Sequence, residues 1–478
     1  MPGRSTFAQG SRRRERETKM TTMFTPDQLR DIVEPPSEKA LRALEARDLP
    51  RLNALMTEMA GGQAGVESLG LHVLARFCGE LREDLGEDEA RALLDRVAGR
   101  MMESFAADWH EGRDETVIRD LVSVFRHQSG GNMVPVDETD AEVVFDLAPC
   151  GSGGRFIVDG SIETSPRWYG AWSDAVPSYC QACKACQRAL NDAAGETVWS
   201  TEISERVPGR CTVRFAKGAS RGQRLFEGKA FYEVTQTRIA MARQKVARHD
   251  YRVADLLKDQ HRDWMPWHDF QIAMLAHVFG ACQRLRGTDY LDAKLESAYN
   301  SAFRLFYPVF KKLDEEVHLR YLCTTHHYHM MRFQMTEEVD RFTFRLDPCG
   351  SGGRLYRGEM WRALFRYDDG PTSPLISEAQ PITFGRRDFP VYCTHCAAHN
   401  RDQYRHDVLY FVNDGHAQDR PGAACLQFTY KKGVHADAVD PAIWRQVGIS
   451  QDGISQDVDA SAVGARPALD VKTTGERS

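Results

Sequence analysis

The chain has 478 residues, 42% hydrophobic and 27% charged, an ordinary globular composition with room for about two to four domains. A formal net charge of -6 leaves no electrostatic footprint for nucleic acid or an anionic membrane, and no apolar run approaches the ~18 residues that span a bilayer. Arg12, Arg13 and Arg14 precede no hydrophobic segment, which argues against a signal peptide, so the sequence reads as cytoplasmic.

In chain order, residues 1–34 are polar, lack periodicity and read as a disordered tail; Met20 and Met23 leave the start codon open. From Pro35 onward apolar residues recur at helical spacing. Leu41, Leu44, Leu49, Leu52, Leu55 and Met56 come first, with Pro50 marking a break, followed by stretches from Val66 to Leu85, Glu89 to Phe105 and Glu115 to His127. These predict a small helical bundle. At Glu142 the period changes to two, so EVVFDLAPC reads as a strand delivering Cys150 at its end, and TVRFAK from Thr212 reads as another. The same order then returns. HVFGAC from His277 answers HVLARFC from His72, RFTFRLDPC answers AEVVFDLAPC, and ACLQFTYKKG from Ala424 answers RCTVRFAKG from Arg210. One supersecondary order written twice predicts two tandem homologous units, 35–222 and 223–433. In this α+β class each N-terminal helical bundle is followed by a small antiparallel sheet with a Cys-rich site. Residues 434–478 lose apolar periodicity apart from Trp444 and read as a flexible tail.

The densest chemistry is the heptapeptide PCGSGGR, present from Pro149 to Arg155 and again from Pro348 to Arg354. A C-x2-C-x2-[C/H] cluster follows each copy, in VPSYCQACKAC and FPVYCTHCAAH. Four soft ligands per unit suit tetrahedral zinc. The expected sets are Cys150, Cys180, Cys183 and Cys186 in the first unit and Cys349, Cys393, Cys396 and His399 in the second, for two zinc ions in all. Cys211 and Cys425, on the strands that follow, could replace a cluster ligand, and His395 is expected to point outward. A reducing cytosol favours metal thiolates over disulfides, and Cys78, Cys282 and Cys323 read as core residues. In the first unit an iron-sulfur centre is the rival, because the cysteine spacing resembles a ferredoxin run. The SGGR loops also offer backbone amides with Arg155 or Arg354 as an anion or cofactor cradle, although neither continues as a P-loop.

TTHHYHMM supplies His326, His327 and His329; with His268 and Asp269, after Trp264 and Trp267, these are the candidate acid-base groups of a small-molecule pocket. The first unit has Gln128, Ser129 and Gly130 there instead, and a histidine at the shared place of His127 and His326 reads as a helix C-cap or a satisfied core group ahead of a catalytic one.

The pieces FTFRLDPC, VYCTHC and CLQFTY, with VVFDLAPC, SYCQAC and CTVRF before them, resemble the L-2-amino-thiazoline-4-carboxylate hydrolase family, once per unit from about residue 41 to 217 and 247 to 432. The resemblance implies the fold class and hydrolysis of a C-N bond in a small heterocycle. It assigns no catalytic residue, since the family pattern has one unit, lacks PCGSGGR and carries an aspartate where Ala397 and Ala398 stand. The expectation is a duplicated zinc-binding hydrolase with a small-molecule substrate and neither nucleic acid nor membrane as partner. The alternatives are a non-catalytic small-molecule-binding or redox-sensing protein with structural zinc, and an iron-sulfur protein.

Overall fold

The computed structural model describes residues 22–128, 132–367, 373–414 and 424–450. Its first helices are α1 (Pro26–Val33), α2 (Pro36–Glu45), α3 (Leu49–Leu85), α4 (Glu87–His110) and α5 (Asp114–Gln128). Pro50 starts α3 instead of breaking it: in the first turn no intrahelical acceptor waits for the missing N–H, and the Asp48 side chain caps the turn by accepting from the Arg51 amide. The expected interruption is therefore absent, and α3 runs for 37 residues. It ends at Gly86 with φ 78°, as the long helix Ala254–Arg286 ends at Gly287 with φ 85°, a left-handed region where a side chain would be strained.

Two small antiparallel sheets follow the helices. The first joins β1 (Met133–Glu138), β2 (Glu142–Leu147), β3 (Trp199–Ile203) and β4 (Cys211–Ala216) in the order β1-β2-β4-β3. The later strands are β5 (Phe333–Glu337), β6 (Arg341–Leu346), a short pair of β7 (Leu375–Ile376) with β8 (Phe389–Pro390), β9 (Val412–Asp414) and β10 (Cys425–Tyr430). They form a second sheet in the matching order β5-β6-β10-β9. Register matches as well, with Leu147 opposite Cys211 and Leu346 opposite Cys425. The fold is thus α+β with small antiparallel sheets. The paired cysteine motifs lie outside the sheets, on the helix Ser178–Ala194 and on a 3-10 turn, Val391–Cys393, that continues as the helix Thr394–His406.

The largest core cluster takes side chains from both halves of the chain, with the Phe77 and Phe279 rings 5.0 Å apart. Close helix crossing needs small residues: a Cβ on Gly62 would lie 2.7 Å from Thr324 Cγ2, and Gly70 packs on the Gln271 side chain. A second kind of link is electrostatic. Buried Glu138 pairs with Lys217 at 2.7 Å and also accepts from the Phe226 amide, while buried Glu337 pairs with Lys431 at 2.7 Å and accepts from the Phe24 amide. The segment entering the second half is thus fastened to the first sheet, and the segment entering the first half to the second.

Part of each expected tail is regular structure. α1 carries a capping box from Thr25 and Gln28, buries Ile32, and ties Asp31 to Arg320 at 2.8 Å. Toward the other end, the helix Pro441–Gln446 buries Trp444, whose indole N–H donates to the Ala436 carbonyl at 2.9 Å. The remaining tail residues, 1–21 and 451–478, lie outside the described residues. No helix among the described residues is long and apolar enough to cross a membrane.

Candidate functional site

Beyond β2 and β6 the chain passes through cis Ala148-Pro149 and cis Asp347-Pro348 and turns sharply at the cysteine that follows. In the first half the Cys150 amide donates to Gly209 O at 2.8 Å, and a Cβ on Gly209 would sit 2.6 Å from Gly154 O, so both loops need glycine at this approach. The turn aims amides at sulfur. A hydrogen bond from the Cys211 thiol, opposed by burial and supported by Ser152 and the Gly154 N–H, lowers the Cys150 thiol to about 6. In the second half the Cys425 thiol, with Ser351 and the Gly353 N–H, lowers Cys349 to about 6 in the same way. Their partners move oppositely: the shared hydrogen bond and burial push Cys211 and Cys425 up.

Gly153 packs directly on Cys180 Sγ, and a Cβ on Gly352 would come within 2.5 Å of Cys393 Sγ, which brings each loop onto its cysteine helix. Cys150, Cys180 and Cys183 all act electrostatically on Cys211, as Cys349, Cys393 and Cys396 do on Cys425. The thiols in hydrogen-bond contact are Cys150 with Cys211 and Cys349 with Cys425, while Cys180 and Cys183, and Cys393 and Cys396, act on them only through charge. Among the described residues no three His, Cys, Asp or Glu side chains are already drawn together as a metal shell.

Cys186 and His399 are not among the residues that act on Cys211 and Cys425, although Cys186 still acts on Cys183 and lines the same small cavity. A helix turns about 100° per residue, so a side chain six positions on is rotated by roughly 120° from the first. Cys186 faces the Arg188 and Asp95 side, with burial raising its thiol to about 12. His399 lies against the Phe303 ring at 4.4 Å, its Nδ1 3.4 Å from Asn300 Oδ1. His395 turns inward, against expectation: Nδ1 is 2.5 Å from the Tyr392 carbonyl and Nε2 is 3.4 Å from Cys396 Sγ.

The candidate acid-base residues separate into two groups. His268 Nε2 meets His329 Nδ1 at 3.0 Å, and His268 Nδ1 meets Asp269 Oδ1 at 2.8 Å. Arg354 donates to both oxygens of Asp269, at 2.5 and 2.8 Å, and the Trp361 amide donates to Oδ2 at 2.7 Å. Four donors therefore fill the lone-pair sites of this fully buried carboxylate, leaving none for a substrate. Arg354 is likewise spent, since its Nη2 also reaches the Glu359 carbonyl at 2.7 Å. The other group is packing. His326 lies against Phe333 and Phe344, with ring centroids 5.4 and 5.0 Å away, and His327 donates from Nε2 to Val33 O at 2.8 Å. Sequence reasoning gave His268 less weight than the neighbours it joins, because only the contact with His329, 61 positions away, reveals its place.

Burial lowers His326 to about 3 and His327 to about 4, so the folded protein holds both neutral well below the ordinary 6.5. The unfolded chain takes up those protons first, so the stability they contribute is full above 6.5 and is lost as pH falls toward 3. Denaturant titrations at stepped pH are expected to show this acid limb shrinking in His326→Phe, whose ring suits the surrounding phenylalanines; an unchanged limb would place the histidine in water.

A cavity of about 30 Å³ lies beside the first thiol group, lined by Cys183, Cys186, Trp199, Trp267 and Gln271 among others. Such a space suits a water or two, far from the ~300–1,000 Å³ of small-molecule sites. Gln128 closes the same region by donating to Ser152 Oγ at 2.8 Å, while Ser129 and Gly130 lie outside the described residues. No protein-family model, no curated protein and no solved structure matches the chain.

Proposed function

We propose that the chain is an internally duplicated zinc-thiolate protein with one ion per half, held by Cys150, Cys180, Cys183 and Cys211 and by Cys349, Cys393, Cys396 and Cys425. The observation that carries this reading is the matched register that sets Cys211 and Cys425 beside the loop cysteines, supplying each half with a fourth thiol where spacing alone suggested Cys186 or His399. Four thiolates are a donor set that zinc takes in closed structural sites, and loop amides aimed at one sulfur are the outer support such sites use. On this reading the zinc ions brace the glycine loops of a non-catalytic binding or sensing protein. The saturated Asp269 carboxylate lends no support to the hydrolytic alternative that the family resemblance suggests.

Metal analysis of the purified protein tests this. About two zinc ions per chain are expected, falling to about one in Cys425→Ser and staying at about two in His399→Ala. Loss of zinc in His399→Ala with retention in Cys425→Ser would restore the histidine as ligand. A brown protein rich in iron, or one free of metal, would overturn the zinc reading altogether.

A further inference from the structure

One motif cysteine of the first half, Cys186, lies outside the proposed zinc ligands. It sits three residues beyond Cys183 on the helix Ser178–Ala194, so the two thiols leave one face of that helix on successive turns. Both line the cavity of about 30 Å³, Cys183 with part of its surface open and Cys186 buried. Trp267, itself buried, lines it too, and its indole N–H has no acceptor among the described residues. A space of this size takes about one or two oxygen atoms, and an oxygen held there gives the indole an acceptor.

The second half is built differently at this place. His399 stands where Cys186 stands in the first, packed on the Phe303 ring at 4.4 Å and meeting Asn300 through Nδ1. An imidazole cannot be joined to the Cys396 sulfur as a second thiol can. The first half alone therefore places a thiol from outside the metal set one turn from a ligand.

We propose that the first half is a modification site for a small hydroperoxide, with Cys183 as the attacking sulfur and Cys186 as the resolving one, joined in a disulfide once hydrogen peroxide enters the cavity. Cys183 is a thiolate when it binds zinc as proposed above, on which this inference rests, and the thiolate is the form that peroxides oxidise. Its sulfur attacks one peroxide oxygen, the O–O bond breaks and hydroxide leaves, giving the sulfenic acid of Cys183. The Cys186 sulfur then attacks the sulfenic sulfur, whose hydroxyl leaves with the Cys186 proton as water. In sum, one thiolate, one thiol and one peroxide give one disulfide, one water and one hydroxide, and the two electrons lost by sulfur reduce the peroxide. Cβ atoms one helical turn apart are about 5–6 Å from each other, against about 3.5–4.5 Å in a disulfide, so this turn must shift as the bond closes. The adjoining cavity gives it room to do so. Losing Cys183 leaves Cys150, Cys180 and Cys211 on the ion, so the first-half zinc is released while the second half keeps its own.

The test treats the full-length zinc-loaded protein with hydrogen peroxide, alkylates the remaining thiols and maps tryptic peptides by mass spectrometry. Trypsin cuts at Lys184, between the two cysteines, so the bond shows as a linked peptide pair. A Cys183–Cys186 link is expected, with release of about one of two zinc ions to a chelating dye, both reversed by dithiothreitol. Cys186→Ser should begin with as much zinc as the wild type, form no link, and carry Cys183 on to the sulfinic acid, which dithiothreitol does not reverse. Zinc content before peroxide keeps the two proposals apart. A protein that begins with both ions and leaves Cys186 open to alkylation after peroxide overturns the modification site alone. Cys186→Ser that begins one ion short makes Cys186 a ligand and overturns its resolving role. A wild-type protein without zinc at the outset overturns the metal proposal, and the thiolate of Cys183 with it.

Discussion

Gly350→Ala is expected to destabilise the protein by about 3–5 kcal/mol, or to leave it insoluble, in urea unfolding experiments. The added methyl would overlap the His329 carbonyl and lie 2.6 Å from its carbon and 2.9 Å from Met330 C, all backbone atoms at the end of the helix Glu315–Tyr328. Flexible side chains can yield by rotating, but here the loop or the helix end must move. Moving the loop displaces Cys349, and moving the helix end strains the hydrogen bond from His329 to His268. Gly99→Ala is the control. It lies within α4 with open space around it, so the helical preference of alanine should leave stability unchanged or raised by about 0.5–1 kcal/mol. Equal stabilities of the two variants would mean that the loop does not approach the helix so closely.

Asp269→Asn is expected to have an effect of similar size, about 3–5 kcal/mol, because it strands the buried Arg354 guanidinium without its counter-charge. The exposed pair Arg188–Asp95 offers the contrast: Arg188→Gln should leave stability unchanged. A pH arm separates charge from packing. Burial pushes the Asp269 carboxyl up, but the hydrogen bond from His268 and the Arg354 guanidinium outweigh it and hold the group below its ordinary 3.8. Stability from this group is therefore complete above 3.8 and is lost as pH falls below it, a portion of the acid limb that Asp269→Asn should lack. Wild-type and variant curves that run parallel below 4 would show that the carboxylate is not ionised in the fold.

The strands that lead to the loop cysteines were legible, RFTFRL because it alternates cleanly and VVFDL as a short apolar run with Val143, Val144 and Phe145 all buried. The edge strand MVPVDE was not, since Pro135 and mostly exposed positions blur its period, and β3 was likewise missed. Proline misled in α3, where Pro50 occupies the one turn that accepts it. Spacing picked out the cysteine motifs but could not say that they lie on helices, where Cys186 sits one turn beyond Cys183 and His399 packs against the Phe303 ring. Cys211 and Cys425 enter through strand pairing, a long-range relation that local pattern does not encode. The histidine cluster divided for the same reason, as its members find partners on α1, on the helix Ala254–Arg286 and on the second sheet.

Glu138 and Glu337 give the molecule the character of two clasped hands. Each sheet is closed by a stretch of chain that leads away into the opposite half, residues 225 and 226 in one direction and 23 and 24 in the other. Severing the backbone near Gln223 would yield pieces that each hold the other's closure and lack their own. Covalent continuity therefore matters less to this architecture than the barter of these short straps, and a lone half would have to borrow one from a neighbour.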